Sequence, residues 1–113
     1  MAATYSTAFA CTTCRKSFKR EFNLAREYPM VLPCPECGGK SFNLGRHFKA
    51  PKNSDKTQWL KVAFLVQNGF WFQRIRPEPN SPESVPYPET LEQAKTFVAT
   101  YKRFALKDYE QYV

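Results

Sequence analysis

No apolar stretch in this chain approaches the roughly 18 residues that a membrane-spanning helix needs, which excludes a helical membrane span. The N-terminus, Met1-Ala2-Ala3-Thr4-Tyr5-Ser6-Thr7, lacks a basic region followed by an apolar run. We therefore expect an intracellular protein, cytoplasmic or nucleoid-associated, with reduced thiols. Histidine occurs once, at His47, carboxylates are sparse in the N-terminal half, and no nucleophile constellation stands out. The expectation is a non-enzymatic protein with no catalytic residues. Residues 1–53 are also short of aliphatic side chains, and a segment that poor in core formers usually needs a metal or disulfides to fold. No internal repeat is visible, and 113 residues bound the chain to one domain or a small module with a short second lobe.

What is present instead is a set of four cysteines in two tight pairs, Cys11-Thr-Thr-Cys14 and Cys34-Pro-Glu-Cys37. Each C-x2-C turn presents two thiolates to one ion, and the intervening stretch is long enough to loop out and return. The spacing is that of a tetrahedral four-cysteine site for one Zn2+ per chain, with Cys11, Cys14, Cys34 and Cys37 as ligands. A closed shell of four thiolates leaves no open position for water or substrate, so the metal is expected to be structural. Two disulfides are the competing reading, disfavoured by the expected reducing compartment. A C-x-x-C redox pair would need to open a helix after a strand, whereas both pairs here have β-like and Gly/Pro flanks.

Seventeen Lys and Arg against ten Asp and Glu give a net charge of +7. The excess is uneven. Residues 1–53 hold nine basic residues against three glutamates, residues 54–76 hold four against one aspartate, and residues 77–113 hold four against six acidic residues. A positive field on the cysteine module favours a polyanionic partner, most simply RNA or DNA. The candidate contact residues are Lys16, Lys19 and Arg20 after the first pair, and Arg46, Lys49 and Lys52 after the second. They would bind phosphates with salt-dependent, weakly sequence-specific affinity. Trp71, with Arg74 and Arg76 on adjacent phosphate, is added as a stacking candidate. A surface histidine is expected at His47, since four cysteines already satisfy a metal.

Along the chain, Phe18, Phe22 and Leu24 alternate on one side of a strand, a face that Arg20 interrupts. Tyr28–Pro33 leads extended into the second pair. Gly38-Gly39 allows a left-handed turn that points backbone amides at sulfur. Phe42, Leu44 and Phe48 alternate again. Ser54 is a plausible N-cap for a helix to about Asn68, with Asp55 in its first turn and Gly69 at its end. Trp59, Val62, Ala63 and Val66 form its stripe, and Leu60, Phe64 and Leu65 widen the apolar surface enough to predict cover on more than one side. Residues 70–75 are aromatic-rich and read as a strand. Residues 77–88 carry five prolines and read as an extended linker or surface strap. Thr90 with Gln93 makes a capping-box signature for a helix from Leu91 to about Leu106, reaching as far as Tyr112.

On these residues, and on Cys34-Pro-Glu-Cys-Gly-Gly39 above all, the stretch from about Phe9 to Lys49 resembles the zinc-ribbon group. That group includes ribosomal proteins, parts of the transcription machinery, topoisomerase tails and adaptor modules, so the resemblance implies a fold and a metal but only a broad class of function. Rubredoxins use related knuckles to bind iron, with a longer insert and an acidic surface.

The expected architecture is α+β: an N-terminal zinc ribbon over residues 1–53, packed with a helix–strand–linker–helix lobe over residues 54–113. The expected function is that of a nucleic-acid-binding accessory protein, ribosome- or transcription-associated. The alternative is a protein–protein adaptor or inhibitor that binds an acidic or apolar partner surface through residues 59–72 or the last helix, where Tyr101 and Tyr109 would make contact.

Overall fold

The computed structural model describes residues 4–23, 29–78, 80 and 83–113. Four antiparallel strands form one curled sheet: β1 (Thr4–Cys11), β2 (Lys16–Asn23), β3 (Val31–Pro33) and β4 (Lys40–Gly45), in the spatial order β2-β1-β4-β3. Two helices follow, α1 (Lys56–Gln67) and α2 (Leu91–Tyr101), and single 3-10 turns close the chain at Lys102–Phe104 and Tyr109–Gln111. The fold is therefore α+β, as the sequence suggests.

β1 is the strand that sequence reading missed, and it is central, flanked by β2 and β4. Its register sets the two faces of the sheet. Phe9 lies opposite Phe18 of β2 and Asn43 of β4, while Ala10 lies opposite Phe42. A register shift between Ala8 and Phe9 then brings Gly45 opposite Ala8. On the Phe9 face, Phe18 stacks on Phe9 at 5.7 Å and Phe22 leans on it at 6.0 Å. Arg20 does not break this face as its charge suggests: its guanidinium sits 4.5 Å over the Phe18 ring, so the long side chain covers aromatic surface while its head stays wet. Leu24 lies outside the described residues. Asn43 ties the same face together, accepting from the Thr7 hydroxyl at 2.7 Å and donating to the Pro29 carbonyl at 3.2 Å.

The opposite face carries Ala8, Ala10, Phe42 and Leu44, and here α1 packs. Small side chains on β1 leave room for Trp59, Val62 and Val66, which form one buried cluster with Phe48 and Trp71. Helix α1 starts one turn-residue later than its predicted cap. Asp55, not Ser54, is the N-cap, and its carboxylate accepts from the Gln58 amide at 3.2 Å. At the other end Gly69 adopts φ +86, the Gly69 amide returns to Val66 and the Phe70 amide to Leu65, a Schellman ending.

Residues 70–75 are not a strand. Phe72 takes φ +66 and turns the chain, which drops Phe70 and Trp71 into different clusters. Gln73 stands in for the missing ladder partner: its side chain accepts from the Trp71 amide at 2.6 Å and donates to the Gly69 carbonyl at 2.9 Å. Phe70, Leu65 and Ile75 meet Ala94 and Phe97 of α2 in a second cluster. The proline-rich segment acts as a strap, held by Val85 pairing with Ile75 and by Tyr87, which stacks on Phe72 and donates to the Gln73 carbonyl at 2.7 Å. The Thr90–Gln93 capping box forms as expected, but α2 stops at Tyr101 rather than Leu106 and tightens into 3-10 geometry. Beyond it the chain folds back, with the Leu106 amide on the Gly69 carbonyl and Tyr112 against Trp71.

Gly69 is the junction on which this return depends. A Cβ there would lie 2.7 Å from the Tyr109 ring and 2.8 Å from the Ala105 methyl, on a backbone at φ +86. At Gly45, φ is +85 with nothing within 4 Å of an added Cβ. Gly69→Ala should therefore cost about 3 kcal/mol or more, strain and overpacking together, and Gly45→Ala about 1 kcal/mol from strain alone. Denaturant unfolding of the two variants measures the difference, and equal losses would contradict the packing assigned to Gly69.

Candidate metal centre

The topology brings both cysteine turns to one end of the sheet. The first turn joins β1 to β2, with Cys11 as the last residue of β1. The second joins β3 to β4, with Cys34 just after β3. Because β1 and β4 are antiparallel neighbours, the two turns lie side by side. The four sulfurs are all within 4.8 Å of one another. Across the turns, Cys14 and Cys34 are 3.4 Å apart and Cys11 and Cys37 3.6 Å apart. These separations are far beyond the about 2.05 Å of a disulfide, and the thiols are free. They approach the edge of about 3.8 Å that four sulfurs at about 2.3 Å from a tetrahedral ion would span. The four sulfurs thus lie close enough to share one metal ion.

The two turns share a local design. In each, the residue after the second cysteine is left-handed: Arg15 at φ 56 and Gly38 at φ +73. The second turn is closed by the Gly38 amide on the Cys34 carbonyl at 2.9 Å and the Cys34 amide on the Gly39 carbonyl at 2.7 Å. The Gly39 amide also donates to the Cys37 sulfur at 3.4 Å, the amide-to-sulfur contact expected of the Gly-Gly pair. The first turn has no such glycine. It is held from outside by Asn53, whose side-chain amide donates to the carbonyls of Cys14 at 3.1 Å and Arg15 at 2.8 Å. No sequence signal marked Asn53, because its partners lie almost forty positions away.

The environment separates the thiols. Backbone amides of Cys37 and Glu36 favour the Cys34 thiolate and bring its pKa down to about 6. Burial, then hydrogen bonding with Cys34 and Cys11, pushes Cys14 up to about 12. For Cys37 the Gly39 amide favours the thiolate, but contacts with Cys11 and burial outweigh it and the value is raised. Lys16 forms an ion pair with Glu36 that links the turns, and this partner raises the Lys16 pKa.

The predicted nucleic-acid contacts divide. Lys19, Arg20, Lys49, Lys52, Arg74 and Arg76 are exposed. Arg46 is exposed and donates to His47, itself on the surface. Lys16 is engaged with Glu36. Trp71 is different: it is 3 % exposed, donates to the Val66 carbonyl at 3.0 Å, and has Phe42 and Tyr112 against its ring. Its place in the core removes it as a stacking surface, because the turn at Phe72 that no strand pattern predicts sends it inward. Tyr101 and Tyr109 are half-buried, against Phe97 and Gly69 respectively, and Tyr101 also lines a surface groove.

Comparison with protein-family models, with curated proteins and with solved structures returns no match to this chain. Among the described residues, no helix is long and apolar enough to cross a membrane.

Metal must displace protons from the thiols whose pKa is raised, so affinity should fall as pH falls through neutrality, and fall further below about 6 as Cys34 also protonates. Asn53→Ala, which frees the first turn, should weaken metal binding about tenfold. A competition titration with a chromophoric chelator at several pH values measures both, and pH-independent affinity would contradict thiolate ligation.

Proposed function

We propose that this chain is a zinc-ribbon protein, with one Zn2+ on Cys11, Cys14, Cys34 and Cys37, that serves as a non-enzymatic nucleic-acid-binding accessory factor. Zinc is favoured by four soft thiolates in a tetrahedral arrangement; iron suits the same donors, and metal analysis of the purified protein tells the two apart. The ion fixes the shape of the surface and takes no part in chemistry.

The observation that carries the nucleic-acid reading is the display of the charge excess. Lys19 and Arg20 on edge strand β2, and Arg46, Lys49 and Lys52 after β4, are all exposed. Such side chains meet phosphates and release counterions, which gives affinity without strong sequence preference. Phe18, half-buried under the Arg20 guanidinium, adds an aromatic surface beside the cations.

Fluorescence anisotropy with a labelled single-stranded RNA and a DNA duplex, across a salt series, tests this. Affinity should drop steeply with salt, and the double variant Arg46→Ala, Lys49→Ala should lower the slope for the single strand by about 1.4. Binding that is absent, or indifferent to salt and to these changes, would refute the proposal.

A further inference from the structure

We infer a second, separate docking surface: a groove between the first cysteine turn and α1 that takes a peptide carrying a bulky apolar side chain flanked by carboxylates. This inference does not rest on nucleic-acid binding.

The groove has a volume of about 230 Å³. It is lined by Thr12, Thr13 and Arg15 of the first cysteine turn and by Lys56, Trp59, Leu60 and Ala63 of α1. Leu60 is 59 % exposed, the most exposed large apolar side chain among the described residues. Its exposure stands out on a helix whose other large apolar residues are covered: Trp59, Val62, Leu65 and Val66 are buried and Phe64 is packed against the second cluster. An isolated exposed leucine is ordinary. One that lines a groove beside a turn held by Asn53 is an open contact surface.

Charge selects the occupant. Both ionisable groups in the groove lining are cations, with no carboxylate among them. The Arg15 Nε is buried and has no hydrogen-bond acceptor among the described residues. It sits on a left-handed backbone that holds the side chain at the groove. Asp55, next to Lys56, is occupied in capping Gln58. An incoming carboxylate would meet the positive charges of Arg15 and Lys56, and an apolar side chain beside it would cover Leu60 and Ala63. A nucleobase fits less well: the one aromatic residue in the lining, Trp59, is 2 % exposed and donates its indole N–H to the Lys52 carbonyl, so it offers no open ring to stack on. The occupant is therefore a protein segment of acidic and apolar character.

The test uses the full metal-loaded chain as bait for a displayed library of random twelve-residue peptides, followed by titration of the enriched peptides by anisotropy and by amide chemical-shift mapping. The expected result is enrichment of peptides with Leu, Ile or Phe beside Asp or Glu, shifts at Thr12, Leu60 and Ala63, and a loss of about tenfold with Leu60→Ser. Leu60 is exposed, so Leu60→Ser leaves the fold intact. Lys56→Glu, which lies outside the cysteine turn, should weaken binding as well and steepen the preference against acidic peptides. No enrichment, enriched peptides without acidic residues, or binding that Leu60→Ser leaves unchanged would each overturn the inference. So would displacement of the peptides by single-stranded oligonucleotide with shifts at these same three residues, which would assign the groove to nucleic acid.

Discussion

Holding four thiols within 4.8 Å of one another is the constraint on which the rest of the molecule depends. Ionised thiolates at that distance repel, and protonated ones make only weak hydrogen bonds, so the arrangement gains stability when a cation occupies its centre. Four thiolates around a divalent ion would leave a net charge of −2, and groups that would answer that charge lie close by. Backbone amides of Glu36 and Cys37 face the Cys34 sulfur and the Gly39 amide faces that of Cys37. The Lys16 ammonium, whose pKa is raised chiefly by Glu36 and further by Cys14 and Cys34, stands at the seam between the two turns. A share of the basic excess thus lies against the cysteine cluster itself.

That constraint is carried into the second half of the chain by few contacts. Asn53 grips the carbonyls of the first turn, and one residue earlier the Lys52 carbonyl accepts from the Trp59 indole. The start of α1 is therefore fixed relative to the cysteines, and Trp59, Val62 and Val66 of the helix share a buried cluster with Ala8 and Ala10 of β1. From there the order is sequential. Gly69 reverses the chain, Phe72 separates Phe70 from Trp71, and the C-terminal turn returns Tyr112 to the Trp71 ring, where the Tyr112 carbonyl accepts from Lys40 of β4. Residues from both halves share one buried cluster, so loosening the cysteine turns should be felt at the helices.

What was legible in the sequence is what is encoded locally. The cysteine spacing, the Gly38-Gly39 turn, the Gly69 helix stop and the Thr90–Gln93 box are each decided within a handful of residues, and each forms. β1 was not legible because Ala8 and Ala10 give almost no hydrophobic amplitude; they are buried for their smallness, which makes sense only once α1 is in place. The supposed strand at Phe70–Ile75 failed for the opposite reason. Three adjacent aromatics satisfy strand propensity, yet Phe72 turns the chain and Gln73 supplies the hydrogen bonds from its side chain, a choice made by tertiary packing. The burial of Trp71 and the clasp by Asn53 follow from the same long-range geometry, and no window of sequence contains them.

The same accounting limits what the surface charge can do. Lys16 faces Glu36, Lys40 is held by Tyr112, Lys95 pairs with Glu92, and the Arg20 and Arg103 guanidinium groups lie on Phe18 and Phe104. Lys19, Lys49 and Lys52 have no such engagement among the described residues and are long, solvated side chains on exposed positions. They form a field rather than a set of pre-aimed forks, and a field attracts a polyanion without reading it. Any selectivity this protein has must then come from surface whose shape is fixed. Two regions meet that condition, the turns clamped by the four sulfurs and the stretch of α1 anchored beside them through Asn53 and Trp59. They adjoin at Leu60, where the structure leaves apolar area uncovered beside the first cysteine turn.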